Sequence, residues 1–180
     1  MAIEVLKNYS SQKCFTHITN KKFAEFFAGI GLMRMGLERQ GWSISFANDI
    51  DPQKKEMYEG HFKDANKHFV LDDIHNLNGK NIPSVTLATA SFPCNDLSLA
   101  GARKGLNGRH SSAFWGFARV IQEMDTRKPP IILLENVTGL LTSHGGDDFR
   151  RVLQTLNNLG YSVDPFIIDA SYFVPQSRQR

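Results

Sequence analysis

A cysteine that follows a proline, directly after a short β-rich run, is the residue best placed for covalent chemistry. The run spans residues 85–90 (VTLATA), and Cys94 lies in the stretch SFPCNDLS that comes after it. A strand that ends in this way brings the next residues to the ligand-binding edge of an open α/β sheet. The thiolate is an intrinsically strong nucleophile. A single cysteine is more often a small buried side chain, so this interpretation depends on the rest of the chain.

A glycine-rich, basic stretch follows the cysteine. Residues 99–110 contain three glycines together with Arg103, Lys104 and Arg109. This composition is typical of a mobile cationic loop. We therefore expect a loop that can cover a polyanion beside the thiol.

The remainder of the chain alternates between predicted strands and predicted helices. We predict strands at residues 22–28, 42–48, 68–71, 85–90, 130–134 and 161–170, and helices at about 32–39, 51–58, 111–126 and 147–158. Alternation of this kind predicts an α/β fold with a doubly wound, mostly parallel sheet. At the second helix we expect Asp51 as N-cap and Pro52 in the first helical position.

Chemically useful residues follow successive strands of this predicted sheet. They are Gly29 and Gly31, Asp49, Asp73, Cys94 and Glu135. The carboxyl ends of the strands share one edge, so these residues are expected to converge. Glu135 follows the most apolar strand, and beside the thiol it would serve as a proton donor or a hydrogen-bond clamp.

The glycine turn followed by Asp49 is compatible with two kinds of ligand. A dinucleotide site requires a small residue at position 34, where this chain has Arg34. A ligand with a ribose but no pyrophosphate fits better. In that interpretation Asp49 binds the ribose hydroxyls, Asp73 accepts from an exocyclic amine, and Phe27 and Ile74 lie against a purine.

The strand-end residues, in their order and spacing, resemble the motifs of the cytosine-C5 DNA methyltransferases. The resemblance runs from about residue 22 to residue 180 and rests on FAGIG at 27–31, NDID at 48–51, DI at 73–74, FPC at 92–94, ENV at 135–137 and QSRQR at 176–180. Each motif is weak alone, but the ordered set is specific. Asn95 departs from the glutamine usual in the family, and Leu32 replaces a common glycine.

The resemblance implies a Rossmann-like, S-adenosylmethionine-dependent methyltransferase fold that is C-terminally incomplete. It implies a lead-in at 1–20 and a partial catalytic domain at 21–180. The implied reaction is methylation of carbon 5 of a flipped cytosine through a cysteine adduct. The implied catalytic residues are Cys94, Glu135, Arg178 and Arg180. The implied cofactor residues are Phe27, Gly29, Ile30, Gly31, Asp49, Ile50, Asp73, Ile74 and Pro93, and the implied nucleic-acid contacts are Asn95, Ser98, Arg103, Lys104 and Arg109; no metal site is expected.

The composition sets limits on these interpretations without deciding among them. The 180 residues carry 21 basic and 18 acidic side chains, a net charge of +3, which permits a polyanionic partner without requiring one. Two cysteines are too few for a disulfide scaffold. With no signal-peptide core or membrane-length apolar run, we expect a cytoplasmic or nucleoid-associated protein.

Several functions and partners remain open at this stage. The implied substrate is double-stranded DNA, with target recognition supplied by a downstream segment or a second polypeptide. An RNA cytosine methyltransferase would use the same chemistry, and a non-catalytic, cofactor-binding fragment that needs a partner chain would carry the same motifs. A dinucleotide-dependent oxidoreductase is the most distant alternative. We predict that the 180 residues alone do not methylate a defined DNA site.

Overall fold

Five parallel strands form a single sheet in the computed structural model of this chain, which describes residues 20–93 and 113–175. The strands are β1 (Lys22–Phe26), β2 (Ser43–Asp49), β3 (Phe69–Leu71), β4 (Leu87–Ala90) and β5 (Ile131–Leu134). Their order across the sheet is β3-β2-β1-β4-β5, and every neighbouring pair is parallel. The predicted parallel α/β sheet is therefore confirmed.

The helices connect these strands and pack on both faces of the sheet. They are α1 (Leu32–Glu38), α2 (Pro52–His61), α3 (Ala113–Glu123), α4 (Gly139–Thr142) and α5 (Asp147–Asn158). As predicted, Asp51 caps α2: its side chain accepts hydrogen bonds from the backbone N–H groups of Gln53 and Lys54. Such a cap satisfies donors that have no partner inside the helix.

Alternate side chains of the strands enter two different apolar layers. On one face, Phe26 packs against Phe117 of α3 with ring centroids 5.2 Å apart. On the other face, Ala47 lies in a cluster with Tyr58 of α2 and with Phe62, which directly follows that helix. Residues buried on both faces explain why the strands read as continuous apolar runs, as parallel strands with helices on both sides do.

The predicted last strand at 161–170 is wrong. Residues 161–168 have no strand assignment, and Asp169 forms only an isolated bridge. The segment lies opposite β5 across an apolar groove of about 760 Å³. A strand exists only where a neighbour completes the backbone hydrogen bonds, and the groove separates this segment from β5. Phe166 is accordingly 66% exposed.

A buried arginine fastens α1 to α2 and to the chain that leads into β3. Arg34 donates to both carboxylate oxygens of Asp64 at 2.8 and 3.0 Å and to the Tyr58 hydroxyl at 3.1 Å. Its guanidinium also lies 3.9 Å from the centre of the Phe62 ring. Burial would raise the pKa of Asp64, but the hydrogen bonds and charge of Arg34 outweigh it and lower that pKa. The pair is therefore ionised at neutral pH.

We expect Arg34→Lys to lower the free energy of unfolding by about 2 kcal/mol, because an ammonium cannot reproduce the planar fork that bonds several groups at once. Urea denaturation at pH 7 measures the change. Arg150→Lys is the matched control, since Arg150 is exposed and pairs only locally with Asp147. Equal stability of the two variants would contradict the structural role of Arg34.

No helix in the two described ranges is long and apolar enough to cross a membrane.

Candidate functional site

The carboxyl ends of the five strands lie along one edge of the sheet, so the residues that follow them are neighbours. Phe26 at the end of β1 pairs with Asn48 of β2 on one side and with Ala90 of β4 on the other. Ala90 in turn pairs with Leu134 of β5. The strand order reverses between β1 and β4, where open α/β sheets form their binding crevice.

The turn after β1 has a left-handed backbone at three positions. Phe27 and Gly29 both have φ of 56°, and Gly31 has φ of 85°. A bulky residue rarely adopts positive φ, and such strain is concentrated at functional sites. The turn therefore holds the backbone of Phe27 in a conformation that an unstrained loop rarely adopts.

The two glycines of this turn face different environments. A Cβ atom added at Gly31 would lie 2.4 Å from the Phe62 ring and 2.9 Å from the Tyr58 ring, so this side is closed by α2. A Cβ added at Gly29 would meet nothing within 4 Å. The open side of the turn is therefore at Gly29, and it leaves room for a ligand to approach the backbone.

Asp49 holds the turn in place from the end of β2. One carboxylate oxygen accepts from the Gly29 N–H at 2.8 Å, and the other accepts from the Asp51 N–H at 3.0 Å. Asp49 is only 5% exposed. A carboxylate offers about four acceptor positions, so further donors such as ribose hydroxyls could still bind to it.

Asp73 and Ile74, in the turn that follows β3, lie in different surroundings. Asp73 accepts from the backbone N–H of His75 at 2.9 Å and contacts the His75 ring at 2.7 Å. The backbone bond, followed by the ring contact, lowers the pKa of Asp73, although partial burial opposes this. Ile74 is 4% exposed and packs in the core. Its side chain therefore packs in the core, and the expected contact of Ile74 with a purine stays a prediction.

The strand that leads to the cysteine is joined to the loop after β5. The Asn136 side chain donates to the Phe92 carbonyl at 2.9 Å, and its own oxygen accepts from the Val137 N–H at 2.9 Å. The Glu135 N–H donates to the Ala90 carbonyl at 3.0 Å. These bonds fix the half-buried Glu135 beside the segment that carries the exposed Pro93.

Several predicted site residues lie outside the described residues. They are Cys94, Asn95, Ser98, Arg103, Lys104, Arg109, Arg178 and Arg180. Their roles remain predictions. The described residues that the structure brings to the common edge are those of the glycine turn, Asp49, Ile50, Asp73, Pro93 and Glu135.

Comparison with known proteins assigns the family. Residues 21–180 match the model of the C-5 cytosine-specific DNA methylases. The chain belongs to this family. It is 31% identical to the type II methyltransferase M.MspI of Moraxella sp over 98% of the chain and 43% of that protein. It is 32% identical to the type II methyltransferase M.HhaI of Haemophilus parahaemolyticus over 91% of the chain and 48% of that protein.

A solved structure agrees with this assignment. The crystal structure of the S. pombe Dnmt2 methyltransferase matches with a TM-score of 0.64 and 28% identity, covering 88% of this chain and 46% of that chain. The chain thus spans less than half the length of each of these relatives. The sheet described above is a portion of a C-5 cytosine methylase fold.

Sequence reasoning missed three residues that matter in this portion of a cytosine methylase. Asn136 was visible only as the middle of the ENV motif, and its bond to the Phe92 carbonyl depends on two strands being neighbours. Arg34 was interpreted only as the absence of a small residue, although it anchors α1. Glu25 is an acidic residue in an apolar strand, and that contrast is the signal that could have drawn attention to it.

We expect Asn136→Ala to lower the free energy of unfolding by about 1–2 kcal/mol, because it leaves the Phe92 carbonyl and the Val137 N–H without this partner. Thermal or urea denaturation of the purified chain measures it. The control is Asn157→Ala on the exposed surface of α5, which should change stability by less than about 0.5 kcal/mol. If the two variants change the free energy of unfolding by the same amount, the hydrogen bonds of Asn136 contribute nothing measurable to stability.

Proposed function

We propose that this chain is the cofactor-binding and catalytic portion of a DNA cytosine-C5 methyltransferase that uses S-adenosylmethionine. The observation that supports this most directly is the common edge of the sheet. There the Asp49-braced turn lies next to the segment leading to Cys94, and Asn136 ties that segment to Glu135. Family membership supports this chemistry, and the edge offers adjacent positions for the cofactor and the cytosine.

The residues around the glycine turn fit the cofactor. A ligand could approach the open side at Gly29, where Asp49 has acceptor positions left for ribose hydroxyls. Asp73, ionised at neutral pH, would accept from the adenine amine, and Ile30 and Ile50 present exposed apolar side chains at this edge. When bound, the cofactor supplies an electrophilic methyl group carried on a sulfonium.

The protein must make carbon 5 of cytosine electron-rich, since that carbon is a poor nucleophile in the neutral ring. The Cys94 thiolate adds to carbon 6 while Glu135 holds N3 and the exocyclic amine, and the electron pair moves to carbon 5. Carbon 5 takes the methyl group and then loses its proton to a base. The carbon 6–sulfur bond breaks, which restores the thiolate and the aromatic ring.

Access to these atoms requires that the cytosine leave the base stack, at a cost of a few kcal/mol. We propose that Arg103, Lys104 and Arg109 contact phosphates around the extruded base. Asn95 and Ser98 would lie beside the base together with Arg178 and Arg180. The named relatives are type II methyltransferases, and we propose that this protein likewise protects DNA within a restriction–modification system.

We predict that Cys94→Ser in the active assembly abolishes methyl transfer while changing S-adenosylmethionine affinity by less than about three-fold. Serine keeps the size of cysteine, but its hydroxyl stays protonated near neutral pH. Glu135→Gln should slow transfer without removing the thiol. Transfer of tritiated methyl groups to plasmid DNA, with a matched RNA substrate in parallel, measures both effects. Turnover by the serine variant would remove Cys94 from the mechanism, and transfer to RNA alone would favour the RNA alternative.

We further propose that target recognition and completion of the sheet come from a downstream segment or a second polypeptide. The support is the groove between β5 and residues 161–168. Among the described residues, β5 pairs only with β4, so its other edge has no strand neighbour. Ile131 of that strand and Val163, Phe166 and Ile167 across the groove present apolar side chains to it.

An added strand is the occupant that suits both walls of the groove. The edge of β5 offers backbone donors and acceptors, and unpaired edges of this kind readily accept another strand. The base of the groove is formed by Leu140, Val152 and Leu156. A strand with apolar side chains would bury these surfaces and bond to the β5 edge.

We expect the 180-residue chain alone to show no site-specific methylation of plasmid DNA, and activity to appear when the polypeptide encoded downstream is added in trans. Ile131→Lys should prevent association in sedimentation experiments, because it places a charge in the apolar groove. Met57→Lys is the control, since Met57 is also an exposed apolar residue and lies on α2, outside the groove. Site-specific methylation by the isolated chain would contradict this proposal.

A further inference from the structure

An arginine of α3 gathers the backbone carbonyls of the turn that follows β3. The Nη2 atom of Arg119 donates to the carbonyls of Ile74, His75 and Leu77 at 3.0, 3.3 and 2.9 Å. Its Nη1 atom pairs with a carboxylate oxygen of Glu123, four residues further along α3, at 2.6 Å. One cation therefore fastens this turn to the helix.

The sequence of α3 allows the helix to come close to the turn. Gly116 and Arg119 are three residues apart, so they lie on the same face of the helix. A Cβ atom added at Gly116 would lie 2.7 Å from Cγ2 of Ile74 and 3.3 Å from Nε2 of His75. The glycine thus permits an approach that a larger residue would prevent, and the Arg119 side chain then reaches the carbonyls.

The same turn determines where the carboxylate of Asp73 lies. Its Oδ1 atom accepts from the His75 N–H at 2.9 Å and lies 2.7 Å from Nδ1 of the His75 ring. The Asp73 carbonyl accepts from the Asn76 N–H at 2.9 Å. The Asp73 side chain is 42% exposed, so a ligand at the sheet edge can reach it. Its orientation depends on the backbone that Arg119 holds.

We propose that Arg119 is a positioning residue for adenine recognition, because it holds the turn of residues 73–77 against α3 and so fixes the Asp73 carboxylate where it accepts from the adenine amine. This inference rests on the proposed function for the place of the adenine. Arg119 acts through the backbone and does not touch the cofactor. Without it, three carbonyls lose a charged donor, and such hydrogen bonds are stronger than those between neutral groups.

A second arginine provides a matched control within the same segment. Nη2 of Arg127 donates to the carbonyls of Gly79 and Lys80 at 3.1 and 3.0 Å, and its Nη1 donates to the Ile82 carbonyl at 2.5 Å. Like Arg119, it is half-buried and contacts three carbonyls. These acceptors begin six residues after Asp73, beyond the turn that orients its carboxylate.

Isothermal titration calorimetry on the 180-residue chain tests the inference without requiring turnover. The two ligands are S-adenosylhomocysteine, the product of the proposed reaction, and its analogue with hydrogen in place of the 6-amino group. The wild type should bind the first at least about ten-fold more tightly, because the analogue lacks a hydrogen bond to a charged acceptor. Asp73→Ala should reduce this preference to less than about two-fold, which defines loss of the adenine contact.

Arg119→Met should reduce the preference to less than about three-fold by weakening S-adenosylhomocysteine, while the affinity for the analogue changes by less than about two-fold. A general loss of folded protein would weaken both ligands equally. Arg119→Lys should give an intermediate preference, because an ammonium keeps the charge but not the planar fork. Arg127→Met removes the same number of carbonyl contacts and should leave the preference within about two-fold of the wild type.

The outcomes separate this inference from the proposed function. A preference that is lost in Asp73→Ala but kept in both Arg119 variants overturns the inference and leaves the proposed function intact. An equal loss in Arg127→Met also overturns it, because the effect then belongs to the whole segment.

Folding of each variant is checked by circular dichroism. If neither Arg119 variant folds while Arg127→Met does, the inference is overturned as well, because Arg119 then supports the whole fold. Failure of the wild type to bind either ligand, or equal affinities for the two, counts against the proposed cofactor site itself. Loss of the preference in the Arg119 variants alone, with the analogue bound as before, supports the inference.

Discussion

The carboxylate of Asp49 is the constraint on which the β1–β2 end of the sheet edge depends. Its two oxygens accept from the Gly29 N–H and the Asp51 N–H, so one side chain sets both the turn after β1 and the start of α2. Neither N–H lies in a position where the sheet could satisfy it. A fully buried donor left without a partner costs about 1–3 kcal/mol, and removal of Asp49 would leave two part-buried donors without this acceptor. The geometry of the edge thus follows from a hydrogen-bonding requirement.

The layer behind this edge is held together by charge as well as by apolar packing. Arg34 lies among Asp64, Tyr58 and His68, and the Phe62 ring packs against its guanidinium. Burial, followed by the nearby positive charge of Arg34, lowers the pKa of His68. A neutral imidazole is the form that can accept from the guanidinium. A dinucleotide-binding fold places a small residue here to bring helix and strand close together. This chain instead has a long cation that bonds to α2 and to the segment between α2 and β3.

The sequence was most informative where local chemistry determines structure. The capping aspartate at Asp51, the apolar run of β5 and the bounds of α5 were all predictable, because caps and hydrophobic patterns act over a few residues. The strand-end residues were predictable as a group because parallel topology brings them to one edge. Residues 161–170 were predicted wrongly, since an extended apolar pattern shows that a segment can join a sheet but not that a neighbour is within reach. The burial of the Ile74 side chain could not be predicted from the sequence either. It depends on the close packing of α3 against Ile74, which the absence of a side chain at Gly116 permits.

The two ends of the sheet edge differ in how far their backbone and side-chain hydrogen-bonding groups have partners. At the β1–β2–β3 end, Asp49, Asn48 and Arg34 bond to neighbouring loops and helices within the chain, so the turn is complete as it stands. At the β4–β5 end, Asn136 completes the link between the two loops, but the outer edge of β5 faces an apolar groove. The β1–β2–β3 end is therefore braced by bonds among the described residues. The end that positions Glu135 adjoins an open edge, and its rigidity depends on what fills the groove. Under the proposed function, cofactor binding would therefore depend on internal hydrogen bonds of the chain and methyl transfer on an added strand, so the two properties would be separable.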